Sequence, residues 1–236
     1  MKEILRLDKY LADMSIGTRS EVKRYIRKGL IKVNDNVERK PETKVNINKD
    51  SIYYNDKLIN YVNYEYYMLN KPAGVISATE DPYNKTVIEL IEDKKRKDLF
   101  PVGRLDKDTE GLLLITNHGD LAHNLLSPKK HIHKVYFAEV SGRVTKEDIV
   151  AFKEGVELDD GYITKPADLK ILTTNDISEI ELTIYEGKFH QVKRMFQAVG
   201  KEVIYLKRLQ MGSLKLDEDL SVGEYRLLTD EEIKRL

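Results

Sequence analysis

No cysteine occurs among the 236 residues. Disulfide frameworks and thiolate chemistry are thereby excluded, and a reducing compartment is compatible with the chain. No apolar run approaches the roughly 20 residues that a membrane-spanning helix needs. The opening Met1-Lys2-Glu3-Ile4 leads into no long apolar segment, so a cytoplasmic protein without a secretory leader is expected. Glycine (13) and proline (6) are sparse, and no internal repeat or low-complexity tract interrupts the chain. Phosphate-loop and dinucleotide fingerprints are missing. His118, His123, His131, His133 and His190 are scattered, without the thiolate or tight carboxylate support that a zinc or iron site wants, so no metal site is expected.

What the chain has in quantity is charge, with 40 Lys+Arg balanced by 40 Asp+Glu. The balance is uneven along the chain. Residues 1–60 hold 14 basic against 9 acidic side chains, a net of +5, and residues 61–236 hold 26 against 31, a net of −5. Two domains are expected on this division, a small basic one over 1–60 and a larger one over 61–236, with the first facing a polyanion.

In the first domain, Leu5, Leu7, Leu11 and Met14 have the spacing of a short amphipathic helix over residues 5–14. A second helix is predicted to start near Thr18 or Ser20, either of which can cap it, and to stop at Gly29. Val22, Tyr25 and Ile26 share one side of it, while Arg19, Lys23, Arg24, Arg27 and Lys28 crowd the rest. Such a face can neutralise phosphates, or it can be an ordinary solvated surface. Short strands follow, with a turn at Asn34-Asp35-Asn36.

Residues 58–66 read as a linker into the strand YYMLNKPAGVIS, followed by strands over VYFAEVSG, DLKILTT and ISEIELTIYE. Helices are predicted after Thr86, around Asp120–Leu126 and Lys146–Glu154, and over His190–Val199. Strands predominate without alternating regularly with helices, so the class is α+β.

Chemistry concentrates in Gly103-Arg104-Leu105-Asp106-Lys107-Asp108-Thr109-Glu110-Gly111, a glycine-bracketed charged loop directly before the aliphatic run Leu112–Ile115. Asp106, between Arg104 and Lys107, can be a carboxylate held ionised by nearby cations, or a turn-forming residue. Asp108 and Glu110 read as loop hydrogen-bonders or exposed charges. Two acids this close in sequence do not suit a glycosidase pair, whose carboxylates face each other from separate segments. Further on, Tyr185–Phe196 (YEGKFHQVKRMF) passes from a strand through a glycine turn into a basic helix start. There Lys188, Lys193 and Arg194 can attract an RNA phosphate or the reactive Asp.

The stretch RLDKYLADMSIGTRSEVKRYIRKGLIKVNDNV resembles the S4 RNA-binding module. Together, LNKPAGVISA, GRLDKDTEGLLLITN, HKVYFAEV and EGKFHQVKRMF resemble the ordered motifs of the RsuA/RluB/E/F family of pseudouridine synthases. Within it the chain is most similar to the RsuA branch, on DPYNKTVIELI, ITKPADL, EGKFHQVKRMFQAVGKEV and LSVGEYRLLTDEEI. The resemblance spans essentially the whole chain. It implies an α+β fold, an S4 module followed by a mixed, mainly antiparallel catalytic domain, and isomerisation of uridine to pseudouridine in 16S rRNA of the small ribosomal subunit. By the same resemblance Asp106 is the essential aspartate, Tyr136 the active-site tyrosine, and Lys193 the basic residue that pairs with the aspartate. Arg104 is an RNA contact beside the extruded nucleotide, while Asn70, Lys71, Pro72 and Gly74 are mainly structural. Arg19, Lys23, Arg24, Arg27, Lys28, Lys188 and Arg194 are the expected further RNA contacts. His190 is expected to be structural. Some relatives carry Arg and Tyr at Lys188 and Phe189, and Lys cannot reproduce a bidentate Arg contact. The implied reaction needs neither redox change nor external group transfer, so no cofactor is expected, and a monomer acting on rRNA is. Two alternatives stay open: the same reaction on 23S rRNA, and a non-catalytic rRNA-binding assembly factor.

Overall fold

The structure, a computed structural model, describes residues 3–127 and 130–236. It contains two compact units, one formed by the chain up to Glu65 together with Glu92–Leu99, the other by Tyr66–Ile91 and Phe100–Leu236. The division expected after residue 60 differs from this at residues 61–65 and 92–99. Tyr61 accounts for the first difference: its ring packs on Tyr10 with centroids 4.9 Å apart and its hydroxyl donates to Asp13 at 3.0 Å. Arg96 accounts for the second. Its guanidinium is buried in the first unit, donating to Asp98 at 2.9 and 2.6 Å and to the Tyr61 hydroxyl at 3.0 Å.

The first unit runs β1 (Ile4–Arg6), α1 (Leu7–Asp13), α2 (Arg19–Arg27), β2 (Ile31–Val33), β3 (Asn36–Glu38), β4 (Lys44–Asn46), β5 (Ile52–Tyr54) and β6 (Lys57–Leu58). The helix expected from residue 5 begins at Leu7, because Leu5 is drawn into antiparallel pairing with Val45. Helix α2 starts as predicted. Thr18 Oγ1 accepts from the Glu21 amide and the Glu21 carboxylate accepts from the Thr18 amide at 2.8 Å, a capping box. Leu7, Leu11, Val22, Ile26, Ile31 and Ile52 form the core, leaving Arg19, Arg24, Arg27 and Lys28 exposed and Lys23 half-buried. Asn34 and Asp35 both have positive φ (49° and 66°), the requirement of a tight type I′ hairpin turn between β2 and β3.

The second unit continues with β7 (Tyr66–Lys71), β8 (Phe100–Pro101), β9 (Glu110–Thr116), α3 (Gly119–Leu126), β10 (Lys134–Ser141), α4 (Lys146–Glu154), β11 (Asp168–Thr173), β12 (Ile177–Ile184), α5 (Gln191–Ala198), β13 (Glu202–Met211), β14 (Leu214–Lys215), β15 (Tyr225–Leu227) and α6 (Asp230–Arg235). Its nine-stranded sheet has the order β11-β12-β10-β13-β9-β7-β15, with β8 on β9 and β14 on β13. Every pairing is antiparallel except β9 with β13. The α+β class with a mainly antiparallel catalytic sheet is therefore as expected. The helix predicted after Thr86 does not form. Thr86 donates through both N and Oγ1 to Glu89 at 3.0 Å, and one turn suffices to bury Val87, Ile88 and Ile91. Residues 92–98 (EDKKRKD) then offer no apolar side chain with which to extend a helix against the core.

Leu112, Leu113, Leu114 and Ile115 of β9 are all fully buried, as a strand covered on both faces requires. Helix α5 packs against β13, and Phe196 meets Phe152 of α4 edge-on at 4.9 Å. The loop before β9 and the start of α5 meet beside the central strands β9 and β13, where Lys193 reaches Asp108.

Candidate active site

The two central strands approach very closely. Gly111 (φ 98°) pairs with Arg208, and a Cβ at Gly111 would overlap the Arg208 backbone carbonyl. Only glycine fits there without strain. This approach fixes where the Gly103–Thr109 loop runs into β9.

The loop is held from below by the segment Lys71–Ser77. Lys71 is fully buried, and its ammonium donates to the carbonyls of Thr109 (2.8 Å), Pro72 (2.9 Å) and Lys107 (3.3 Å). Burial pushes this ammonium down to about 8, although the Asp108, Glu110 and Asp106 carboxylates draw it up. The Gly74 amide donates to the Lys107 carbonyl at 2.7 Å. Ser77 Oγ accepts from the Leu105 amide at 3.0 Å and donates to the Leu105 carbonyl at 2.9 Å. Three backbone carbonyls of the loop region and one amide are thereby pinned on either side of Asp106.

Asp106 is partly exposed at the mouth of a cavity of about 520 Å³. Its Oδ1 lies 3.6 Å from His190 Nε2 and its Oδ2 lies 3.6 Å from Lys193 Nζ. Lys193 has a tighter partner than the one expected: it donates to Asp108 Oδ1 and Oδ2 at 2.6 and 2.7 Å. That hydrogen bond, with the charge behind it, holds the Asp108 carboxyl below its ordinary range. The ammonium is thus shared between two carboxylates, and Asp108, read from sequence as a loop hydrogen-bonder or exposed charge, anchors it.

His190 belongs to the site by position, which its neighbours in sequence did not suggest. It precedes α5 in a left-handed conformation (φ 47°, ψ 32°), and its ring stacks on Phe189 at 3.8 Å between centroids. The turn is stabilised by Gln191, whose Oε1 accepts from the Lys188 amide at 2.8 Å.

Tyr136 lies on β10 and is 7 % exposed, lining the cavity with Asp106. A bulge shapes this place. Val135 pairs with Gln210 and Tyr136 with Arg208, so Leu209 is the extra residue on β13. Bulges twist strands locally and re-aim side chains beside sites. Lys134, two residues before Tyr136 and on the same face of β10, also lines the cavity. Burial, with the Arg208 guanidinium beside it, pushes Lys134 down to about 8 against an opposing pull from Glu186.

The remaining expected contacts divide. Arg104 is exposed on the cavity rim. Lys188 sits there too, with its ammonium 4.1 Å from the centroid of the Tyr162 ring. Arg194 is paired with Asp159 and with Asp160, the latter at 2.8 Å, so its charge is spent within the unit. Arg19, Lys23, Arg24, Arg27 and Lys28 belong to the first unit, as described above. Among the described residues no group of three His, Asp or Glu side chains is placed to hold a metal ion, and no helix is long and apolar enough to cross a membrane.

Ser77, Lys134, His190 and Arg208 were not singled out for the site from sequence. For Arg208 a signal existed: a basic residue in a strand whose other buried side chains are Leu206 and Met211.

The chain matches the family model described as RNA pseudouridylate synthase over residues 65–198 and that of the S4 domain over residues 5–50. It is 46 % identical over 235 residues to an uncharacterized RNA pseudouridine synthase of Bacillus subtilis, covering 98 % of both chains. It is 38 % identical to ribosomal small subunit pseudouridine synthase A of Haemophilus influenzae (98 % of this chain, 99 % of the relative) and to that of Escherichia coli (97 % and 98 %). A solved pseudouridylate synthase crystal structure superimposes with a TM-score of 0.68 at 38 % identity, covering 98 % of this chain and 99 % of that one.

Proposed function

The chain belongs to the RNA pseudouridylate synthase family and carries an S4 domain, and from that premise we propose that it isomerises one uridine in 16S rRNA of the small ribosomal subunit, with Asp106 as the catalytic carboxylate. The observation that carries the role of Asp106 is its placement: a carboxylate on a loop pinned on both sides, between Lys193 and His190, at the mouth of a cavity that Tyr136 also lines. The choice of 16S rRNA rests on the two full-length relatives named as small-subunit enzymes.

The reaction breaks the bond between uracil N1 and ribose C1′, turns the freed base, and joins its C5 to C1′. N1 gains a proton and C5 loses one, so atoms balance without a cofactor. The uridine must first leave its stack, which costs a few kcal/mol and less in loops or single strands. Tyr136 provides a flat surface for the extruded base. Asp106, with the Lys193 ammonium 3.6 Å away, acts on the ribose by bonding to C1′ or by taking the C2′ proton so that a glycal forms. Either way the electron pair of the broken bond stays with the base.

Arg104 and Lys188 at the rim, and Arg19, Lys23, Arg24, Arg27 and Lys28 on the S4 unit, serve the RNA backbone. Arg194 is left to its aspartates.

The test is pseudouridine mapping of both rRNAs in cells with the gene deleted, then complemented with wild type or Asp106→Asn. One site disappearing from 16S rRNA, restored by wild type alone, is the expected outcome. A site lost from 23S rRNA instead would replace the substrate, and tight rRNA binding with no site lost would make the protein a non-catalytic assembly factor.

A further inference from the structure

Arg208 lies within β13 and is 1 % exposed. Its Nε donates to the Leu112 carbonyl at 2.8 Å, which fixes the plane of the guanidinium against β9. Its Nη2 is buried and finds no hydrogen-bond partner among the described residues. A buried cationic donor without an acceptor is costly and calls for a reason. The carboxylates that line the same cavity do not supply one. Asp106 faces His190 and Lys193. Glu186 accepts from the Tyr162 hydroxyl (2.7 Å), the Lys165 amide (2.9 Å) and Gln191 Nε2 (2.8 Å). Arg208 itself lines the cavity, so a molecule bound there can bring the acceptor.

The surroundings say what kind. Tyr136 is the direct cross-strand partner of Arg208, so a planar ring lying on Tyr136 presents an edge toward the guanidinium. Leu206, Ile184 and Val192 complete this part of the lining. Such a slot suits a flat base with polar edges, whereas a phosphate is better served by exposed Arg104 and Lys188 at the rim.

We propose that Arg208, through Nη2, donates to a carbonyl of the extruded uracil and stabilises the negative charge the base takes on when it leaves the ribose. This rests on the reading of the site given above. When the N1–C1′ bond breaks, its electron pair stays on the base, shared among N1, O2 and O4. Turning the ring about its N3–C6 axis exchanges N1 with C5 and O2 with O4. A donor fixed in the protein therefore meets a carbonyl before and after the turn. C5 then bonds to C1′ with that pair as the Asp106–C1′ bond breaks or, on the glycal route, as Asp106 returns the proton to C2′; C5 gives up its proton to a base in the site, and N1 is protonated. Cytosine carries an amino group in place of O4, so in one of the two orientations it sets donor against donor. The same guanidinium then selects uridine.

The test compares wild type, Arg208→Met and Arg208→Lys under single turnover on a short rRNA fragment around the uridine that mapping identifies. A second fragment carries 5-fluorouridine at that position. Fluorine withdraws electrons and stabilises the departing base without help from the protein. Arg208→Met is expected to bind RNA as wild type does, to lose about 100-fold or more in turnover of uridine, and to lose less than about tenfold in consumption of 5-fluorouridine. Arg208→Lys keeps a charge and should recover part of the loss. Equal losses on the two fragments, or no loss, would overturn the assignment. Circular dichroism checks the fold; if Arg208→Met does not fold, the same comparison is made with Arg208→Lys. A wild type inactive on every rRNA removes the premise as well, whereas an active wild type whose variants treat both bases alike overturns this assignment only.

Discussion

Lys193 holds Asp108 in a two-oxygen grip at 2.6 and 2.7 Å while standing 3.6 Å from Asp106. The pair reaches across 85 residues of sequence and joins the start of α5 to the loop before β9. Asp108 is the exposed member, with 72 % of its side chain open to solvent, and Lys193 the covered one at 20 %. The more exposed carboxylate therefore anchors the ammonium, and the more covered one, Asp106, receives its field.

Removing the anchor is expected to cost little. An exposed ion pair contributes at most about 1 kcal/mol, so Asp108→Asn should lower kcat by no more than about fivefold. Lys193→Met, which strips the field from Asp106, should lower kcat on the order of 100-fold. Asp106→Asn should leave no measurable pseudouridine. Single-turnover assays on rRNA order the three; a loss in Asp108→Asn as large as that in Asp106→Asn would exchange the roles of the two aspartates.

Lys134 sets a pH dependence. Its ammonium titrates near 8 rather than 10.5, because it is buried beside Arg208. Below that pH it is charged and adds to the positive potential of the cavity; as pH rises through about 8 the charge is lost. We expect kcat/KM on RNA to fall above pH 8 in wild type, and Lys134→Met to show a lower value without that falling limb. Lys71 titrates in the same range but donates to carbonyls beneath the loop. A limb retained in Lys134→Met and absent from Lys71→Met would assign the titration to Lys71.

Gly111→Ala is expected to break the fold locally. The position has φ 98° and its Cβ would run into the Arg208 backbone, which cannot move without parting β9 from β13. A loss of about 3 kcal/mol or more in denaturant unfolding is expected. Gly74→Ala has a similar φ of 85° but meets no atom within 4 Å. It should cost only the strain of the backbone, about 1 kcal/mol.

Arg96 tests why residues 92–99 pack with the first unit. Its guanidinium is buried and makes charge-assisted bonds to Asp98, the Tyr61 hydroxyl and the Val62 carbonyl, with Asp13 at 3.8 Å. Arg96→Met should leave Asp13 to Lys9 (2.6 Å) and deprive the Tyr61 hydroxyl and the Val62 carbonyl of their donor, destabilising the unit by about 2 kcal/mol. Faster hydrogen exchange at the Lys95 and Arg96 amides, which donate to the Glu65 carboxylate, is the local readout. Unchanged exchange would mean that the neighbouring backbone holds the segment by itself.

Much of the architecture was legible because it is local. The Thr18–Glu21 capping box, the Asn34-Asp35 turn and the start of α4 behind Thr145 all depend on residues within four positions of one another. The aliphatic run Leu112–Ile115 is likewise local, and it forms the buried strand β9. Where local signals failed, a distant partner had won: Leu5 left its helix for Val45, and the segment after Thr86 stopped at one turn, with the polar stretch behind it tied down through Arg96.

The sequence by itself determined the family, the order of S4 and catalytic domains, and the loop that carries Asp106. These follow from motifs whose residues are near neighbours. Only the tertiary structure decided that Lys193 grips Asp108 more closely than Asp106, that His190 faces the same carboxylate, and that Arg208 comes to rest opposite Tyr136 with a donor unpaired. Each of these is a pairing across more than 70 residues. It depends on the register of β10 and β13, the bulge at Leu209 and the glycine that lets β9 and β13 touch. No periodicity along a single segment encodes such a register, because it is set by packing between segments.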